Sequence, residues 1–97
     1  MTREKLEKRW FELTRKQLPS LAPERGWPIR FDHCFQRVLL DHAVGGTWRE
    51  VIASPAYRNA TDAQLDAAIA LGERVLAGSV DLAALDRQSL EWRGKAR

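Results

Sequence analysis

The residues best able to do chemistry crowd into one short stretch. Asp32, His33, Cys34, Arg37, Asp41 and His42 include both histidines and the only cysteine of the chain. On a helix, His33, Arg37 and Asp41 are spaced i, i+4, i+8 and line one stripe. Such a stripe could act as a small polar site. Arg37 offers a fork of donors to a carboxylate or phosphate, His33 exchanges a proton near neutral pH, and Asp41 supplies a carboxylate. The same spacing equally suits a local ion-pair ladder, with Arg37 holding Asp41 one turn away. These three are the candidate catalytic or ligand-binding residues. His42 falls on a different face with Phe35 and Val38, where it reads as a core histidine needing one hydrogen bond to a carbonyl. His33 and His42 point to opposite sides of an ideal helix and cannot share one ion, so no metal site is expected. Cys34 borders the apolar face and reads as a buried, inert thiol. Gly45-Gly46-Thr47 precedes a helix start, as anion-binding turns do, but it lacks the Lys and spacing of a P-loop, and a helix cap explains it. No nucleophile elbow, zinc-protease helix, calcium loop or dinucleotide fingerprint occurs, and no cofactor is expected.

The elements that must position these residues are helical. From about Thr2, a capping residue, to Leu18 the residues Leu6, Trp10, Leu13 and Gln17 recur at helical spacing. Phe11 and Leu18 widen that stripe, and Lys5, Arg9, Glu12 and Lys16 form a mostly basic outer face. Pro19 to Pro28 contains three prolines and Gly26 and reads as a loop, with Trp27 pinning it to the core. The next helix spans about Arg30 to Val44 and stops at Gly45-Gly46. Phe31, Cys34, Phe35, Val38, Leu39 and His42 share its broad face; Leu40 and Val44 lie elsewhere, so it is apolar on nearly all sides and central. Thr47-Trp48-Arg49-Glu50 has the pattern of a capping box opening a short helix. Ser54-Pro55 begins a turn. Thr61-Asp62-Ala63-Gln64 is a second capping box, opening a helix to about Ala77 before Gly78. Gly72 sits in its apolar stripe and marks a close helix crossing. A last helix runs from about Asp81 to Trp92, with Leu82, Leu85, Ser89 and Trp92 on one side. Residues 92–97 form a basic tail carrying Arg93, Lys95 and Arg97. No segment alternates in the β manner. The expected fold is all-α, a compact bundle of about four main helices plus one short helix, in a single domain over residues 1–97.

The chain has 97 residues, 16 Lys+Arg, 13 Asp+Glu and a net charge of +3, with 44 % hydrophobic residues. That composition excludes a disordered chain. One cysteine excludes an internal disulfide and a cysteine-rich zinc site. No apolar run is long enough to span a bilayer, and the charged N-terminus leads into no signal region, so a cytoplasmic location is expected. Charge is segregated. Residues 1–30 are basic, residues 61–92 acidic, and the tail is basic again. The first helix therefore packs beside, or dimerises onto, the acidic segment, or faces a nucleic-acid backbone through Lys5, Arg9 and Lys16. Three glutamates interrupt that basic face, and no nucleic-acid motif is present. Four tryptophans are many for this length. Trp48-Arg49 and Trp92-Arg93 combine the two residue types enriched at binding hot spots. The leading expectation is a non-enzymatic interaction module for a protein partner or a second copy of itself. It would use Lys5, Arg9, Lys16, Trp48, Arg49, Trp92 and Arg93. A ligand site or enzyme at His33, Arg37 and Asp41 and a nucleic-acid surface on the first helix stand beside it.

Asp32-His33-Cys34-Phe35-Gln36-Arg37-Val38-Leu39-Leu40-Asp41, with Pro55-Ala56-Tyr57-Arg58 and Ser89-Leu90-Glu91-Trp92-Arg93-Gly94-Lys95, resembles short uncharacterised bacterial proteins. The resemblance spans most of the chain, and some of those proteins carry an N-acetyltransferase label. The acetyltransferase fold needs a mixed sheet and an R/Q-x-x-G-x-G/A turn for the coenzyme pyrophosphate. This sequence contains neither, so the resemblance implies no activity and transfers no functional residue.

Overall fold

A computed structural model describes residues 2–95. Arg97, part of the expected basic tail, lies outside them. The chain begins with α1 (Arg3–Phe11), a π-helical segment (Glu12–Gln17) and α2 (Leu18–Arg25), which follow without a break. Thr2 caps α1, its hydroxyl accepting the Lys5 N–H at 3.3 Å. Leu6, Trp10, Leu13 and Leu18 are buried along the inner side. The loop expected from Pro19 to Pro28 begins only at Gly26, because the helix runs on through two prolines to Arg25. Proline breaks a helix by removing an N–H and by clashing with the carbonyl four residues back. The wider π turn ahead of Pro19 lets the Leu18 N–H bond the Leu13 carbonyl five residues back, and Pro19 itself falls in the first turn of α2. The helix ends at Gly26, whose positive φ of 63° provides the left-handed cap. Trp27 then folds back, half-buried, edge-on against Phe35, as a plug should.

α3 (Asp32–Val44) is the central helix. It contacts α2, the π segment, α5 (Asp62–Leu76), α6 (Leu82–Trp92) and the turn after its own C-terminus. Phe35, Val38, Leu39 and Leu40 are all buried, so the helix is covered on most sides. Phe31 departs from its expected core position. It is the N-cap residue of α3 and 65 % exposed, because the extended backbone there aims it away from the face that Phe35 and Val38 share. The capping box at Thr61 and Gln64 is complete in both directions. Thr47 makes no such box. The residues after it form a single 3-10 turn, Trp48–Glu50, and the short helix is instead α4 (Ala56–Asn59), after a cis Ser54–Pro55 bond.

Gly72 explains how α5 comes so close. A Cβ built there would lie inside contact of Leu13 Cδ2 and 3.0 Å from Leu39 Cδ1. Both leucines are fully buried. Gly72→Ala gains about 1 kcal/mol of helix propensity, but overpacking a filled core costs about 1–3 kcal/mol. The variant is expected to be less stable by about 1 kcal/mol in denaturant unfolding. A rise in its midpoint would show that the two leucines yield freely.

The fold is all-α, with four main helical stretches (3–25, α3, α5 and α6) and one short helix, and no strand forms among the described residues. The radius of gyration, 12.5 Å, matches the roughly 12.5 Å of a compact chain of this length. The basic first stretch does pack beside the acidic segment. Arg3 bonds Asp62 at 2.8 Å and Arg9 approaches Glu73 at 3.8 Å. Among the described residues no helix is long and apolar enough to cross a membrane.

Candidate functional site

Asp41 lies at the last turn of α3 and is fully buried. Its carboxylate accepts four hydrogen bonds. Oδ1 receives the Trp48 N–H at 2.9 Å and Arg93 Nη2 at 2.9 Å; Oδ2 receives Ser89 Oγ at 2.6 Å and Arg93 Nε at 2.8 Å. The Asp41 carbonyl also accepts the N–H groups of Gly45 and Gly46. One residue thus organises the whole turn from Gly45 to Trp48 and ties it to α6. The glycine turn that looks like an anion site from the sequence is satisfied internally, with the Asp41 carboxylate on the Trp48 N–H.

Burial by itself pushes the Asp41 carboxyl up, but the hydrogen bonds from Arg93, Ser89 and Trp48, with the Arg93 charge, outweigh it. They hold it below the ordinary carboxylate range, and the same pair raises Arg93. Unfolded Asp41 takes up its proton near about 3.9, and folded Asp41 only at lower pH. Between those values the unfolded chain binds more protons, so the contribution of Asp41 is complete above about pH 4 and disappears as pH falls through the folded value. Asp41→Asn is therefore expected to lose stability at pH 7 and to flatten the acid side of the stability profile. An unchanged acid slope in denaturant titrations would contradict this.

The His33–Arg37–Asp41 stripe does not act as one unit. Arg37 turns away from Asp41 and bonds α6, through Nη2 to Asp86 at 2.7 Å and Nη1 to Ser89 at 2.8 Å. The expected Arg37–Asp41 ladder is absent because α6 presents Asp86, Ser89 and Arg93 along the face that meets α3. Attraction between opposite charges is stronger in this buried setting, and the geometry is better held, than in a solvent-side i,i+4 pair. The result is a chain of bonds, Arg37 to Ser89 to Asp41, closed by the Arg93 fork. His33 remains at the surface, 76 % exposed, 3.6 Å from Asp32. His42 is half-buried, and its Nε2–H donates to the Leu85 carbonyl at 2.9 Å, the single carbonyl bond anticipated for it.

Beside this network opens a cavity of about 410 Å³ between the π-segment end of the first stretch, α3, the Trp48 turn and α4. Arg15, Arg37, Arg49, Arg93 and His33 line it, with Trp10, Phe11, Trp48 and Tyr57 among the walls, and no carboxylate does. Two sets of sequence candidates meet here: His33 and Arg37 from the central stripe, and Trp48, Arg49 and Arg93 from the Trp-Arg pairs. Asp41 stays beneath, behind Arg93. The arginines differ in state. Arg37 and Arg93 are neutralised by Asp86 and Asp41. Arg49 makes no ion pair among the described residues and lies 5.2 Å over the Trp48 ring. Arg15 lies 3.9 Å over Phe11, with only a 3.9 Å approach to Asp32. Cation–ring contact steadies a guanidinium without consuming its hydrogen-bond donors.

The other sequence candidates lie apart. Trp92, 36 % exposed, stands edge-on to His42, away from the cavity. Arg9 bonds Gln17 at 2.6 Å. Lys5 is exposed and does not line the cavity. Cys34 is half-buried against the core. No group of three or more metal-ligating side chains forms among the described residues. Residues missed by sequence reading include Arg15, Phe11, Gln36 and Tyr57 in the walls, and buried Asp86. A usable signal existed for Asp86, since positions 82, 86, 89 and 93 fall on one helical stripe. Nothing marks Tyr57, which arrives from a separate short helix.

No family model, curated protein or solved structure matches this chain. The site is therefore read on its own chemistry.

Proposed function

We propose that this chain is a non-enzymatic binding module that captures an anionic group of a macromolecular partner in the arginine-lined cavity. The observation that carries this reading is the lining itself: four arginines and a histidine, aromatic walls and no carboxylate. A volume near 410 Å³ falls within the roughly 300–1,000 Å³ range of ligand pockets. Arg49 supplies a charge with no ion pair among the described residues, Arg15 one met only by Asp32 at 3.9 Å, and their planar forks suit carboxylate or phosphate. Arg37 and Arg93, also in the lining, each have a guanidinium nitrogen, Nε and Nη1, that makes no hydrogen bond among the described residues. The buried bonds to Asp41 and Asp86 hold these two arginines in place before any ligand arrives, which lowers the ordering cost of binding. The lining does not resemble a reaction centre. His33 makes no hydrogen bond to Ser54 or Tyr57, the hydroxyl side chains of the cavity, so no nucleophile is paired with a base. The setting proposed is the cytoplasm, where a lone thiol such as Cys34 stays reduced.

Thermal unfolding in the presence of phosphate, citrate or chloride at matched ionic strength tests the reading. Multivalent oxyanions are expected to raise the midpoint in proportion to the logarithm of their concentration, as specific ligands do. Equal shifts for all salts would mark a general solvent effect and remove the cavity as the binding site.

A further inference from the structure

The cavity does not end at its rim. A second depression of about 380 Å³, lined by Lys8, Phe11, Glu12, Arg15 and Lys16, shares Phe11 and Arg15 with it. The two depressions thus adjoin at Phe11 and Arg15, and the second lies along the first helical stretch. Three of the five shelf residues are cationic, and Glu12 is its one carboxylate. Lys8 and Lys16 make no ion pair among the described residues, whereas Arg3 and Arg9 on the neighbouring face are occupied by Asp62 and Glu73. Two lysines without an ion pair among the described residues therefore stand on the groove side of the first stretch.

A second observation concerns rings. Phe31, 65 % exposed, lies parallel to the imidazole of His33, with centroids 5.8 Å apart and planes 5° apart. His33 lines the cavity. A large apolar ring held flat in solvent at a cationic groove is a stacking surface rather than core. An acidic peptide needs guanidinium forks but no such platform. A duplex offers phosphates but hides the faces of its bases. Unpaired bases offer both a phosphate and a free π face.

Resting on the reading of the cavity as an anion site, we infer that the partner is a single-stranded nucleic acid. One phosphate occupies the cavity at Arg15 and Arg49, the backbone leaves along Lys8 and Lys16, and a base stacks on Phe31 and His33.

Fluorescence anisotropy with a labelled oligothymidylate of about ten nucleotides tests this on the full chain. The competitors are the matching duplex, inorganic polyphosphate and an oligoglutamate peptide. The strand is expected to bind more tightly than any of the three. Phe31→Ala and His33→Ala alter exposed rings, and retained helicity by circular dichroism confirms their fold. Phe31→Ala is expected to weaken the strand about tenfold and to leave phosphate binding unchanged. Raising salt from about 50 to 200 mM should weaken the strand about 20-fold if three phosphates are engaged. Polyphosphate or oligoglutamate binding as tightly as the strand, or full strand affinity in both ring variants, overturns the inference while the anion site stands. Failure of phosphate and of every polyanion to bind removes both.

Discussion

Asp41→Ala is expected to destabilise the protein by about 3–5 kcal/mol, the range seen when one member of a buried ion pair is deleted. The substitution strips the Arg93 fork of its partner and leaves the Ser89 hydroxyl and the Trp48 N–H without an acceptor. Each orphaned buried group adds a desolvation penalty. For a domain of this size, that loss corresponds to a fall in Tm of at least about 12 °C. Asp41→Asn keeps an acceptor oxygen but turns an NH2 toward donors, and it should fall between wild type and Asp41→Ala. Ser89→Ala should cost less than either, because the arginine fork survives. A double-mutant cycle between Asp41 and Arg93 isolates their coupling. A loss below about 1 kcal/mol for Asp41→Ala, the value of an exposed pair, would contradict the buried network.

Arg15→Gln/Arg49→Gln is expected to weaken oxyanion binding at least about 100-fold while leaving Tm nearly unchanged. Hydrogen bonds to charged groups contribute about 1.5–3 kcal/mol each, and these two arginines are the least paired of the four in the lining. Both arginines are exposed and lie over rings that the core holds in place without them, Phe11 half-buried and Trp48 buried. Arg49→Lys should retain part of the affinity, as a point charge without the planar fork. Calorimetric titration with citrate measures each variant. Full affinity in the double Gln variant would place the anion elsewhere. The contrast with Asp41 separates two roles: Asp41 positions Trp48, Arg49 and Arg93, whereas Arg15 and Arg49 meet the ligand.

Helix existence was legible because the periodic apolar stripes and caps are strong local signals. Thr2, Thr61, Gly45 and Gly72 all perform as their positions imply. The proline-rich stretch misled because each proline was read alone. A π turn ahead of Pro19 is a cooperative adjustment of several residues, and no single residue type announces it. The site was half legible. His33, Arg37, Trp48, Arg49 and Arg93 were all singled out, but as separate groups, since their meeting depends on how α6 docks on α3. The Arg37–Asp41 ladder was the natural reading of an i,i+4 pair. It gave way because Asp86 and Arg93 arrive from another helix and offer buried partners. The expected α6 stripe of Leu82, Leu85, Ser89 and Trp92 shares Leu82 and Ser89 with the buried face but has Leu85 and Trp92 where Asp86 and Arg93 stand.

Nuclear magnetic resonance of the arginine Nε–H and tryptophan indole signals, followed during phosphate titration, tests the cavity most directly. The Arg15, Arg37 and Arg49 Nε–H resonances and the Trp48 indole are expected to shift together along one saturating curve. Arg25, which bonds the Val75 carbonyl far from the site, and Trp92 should stay fixed. Shifts spread evenly over all arginines, or no saturation at any of them, would contradict an anion site in this cavity.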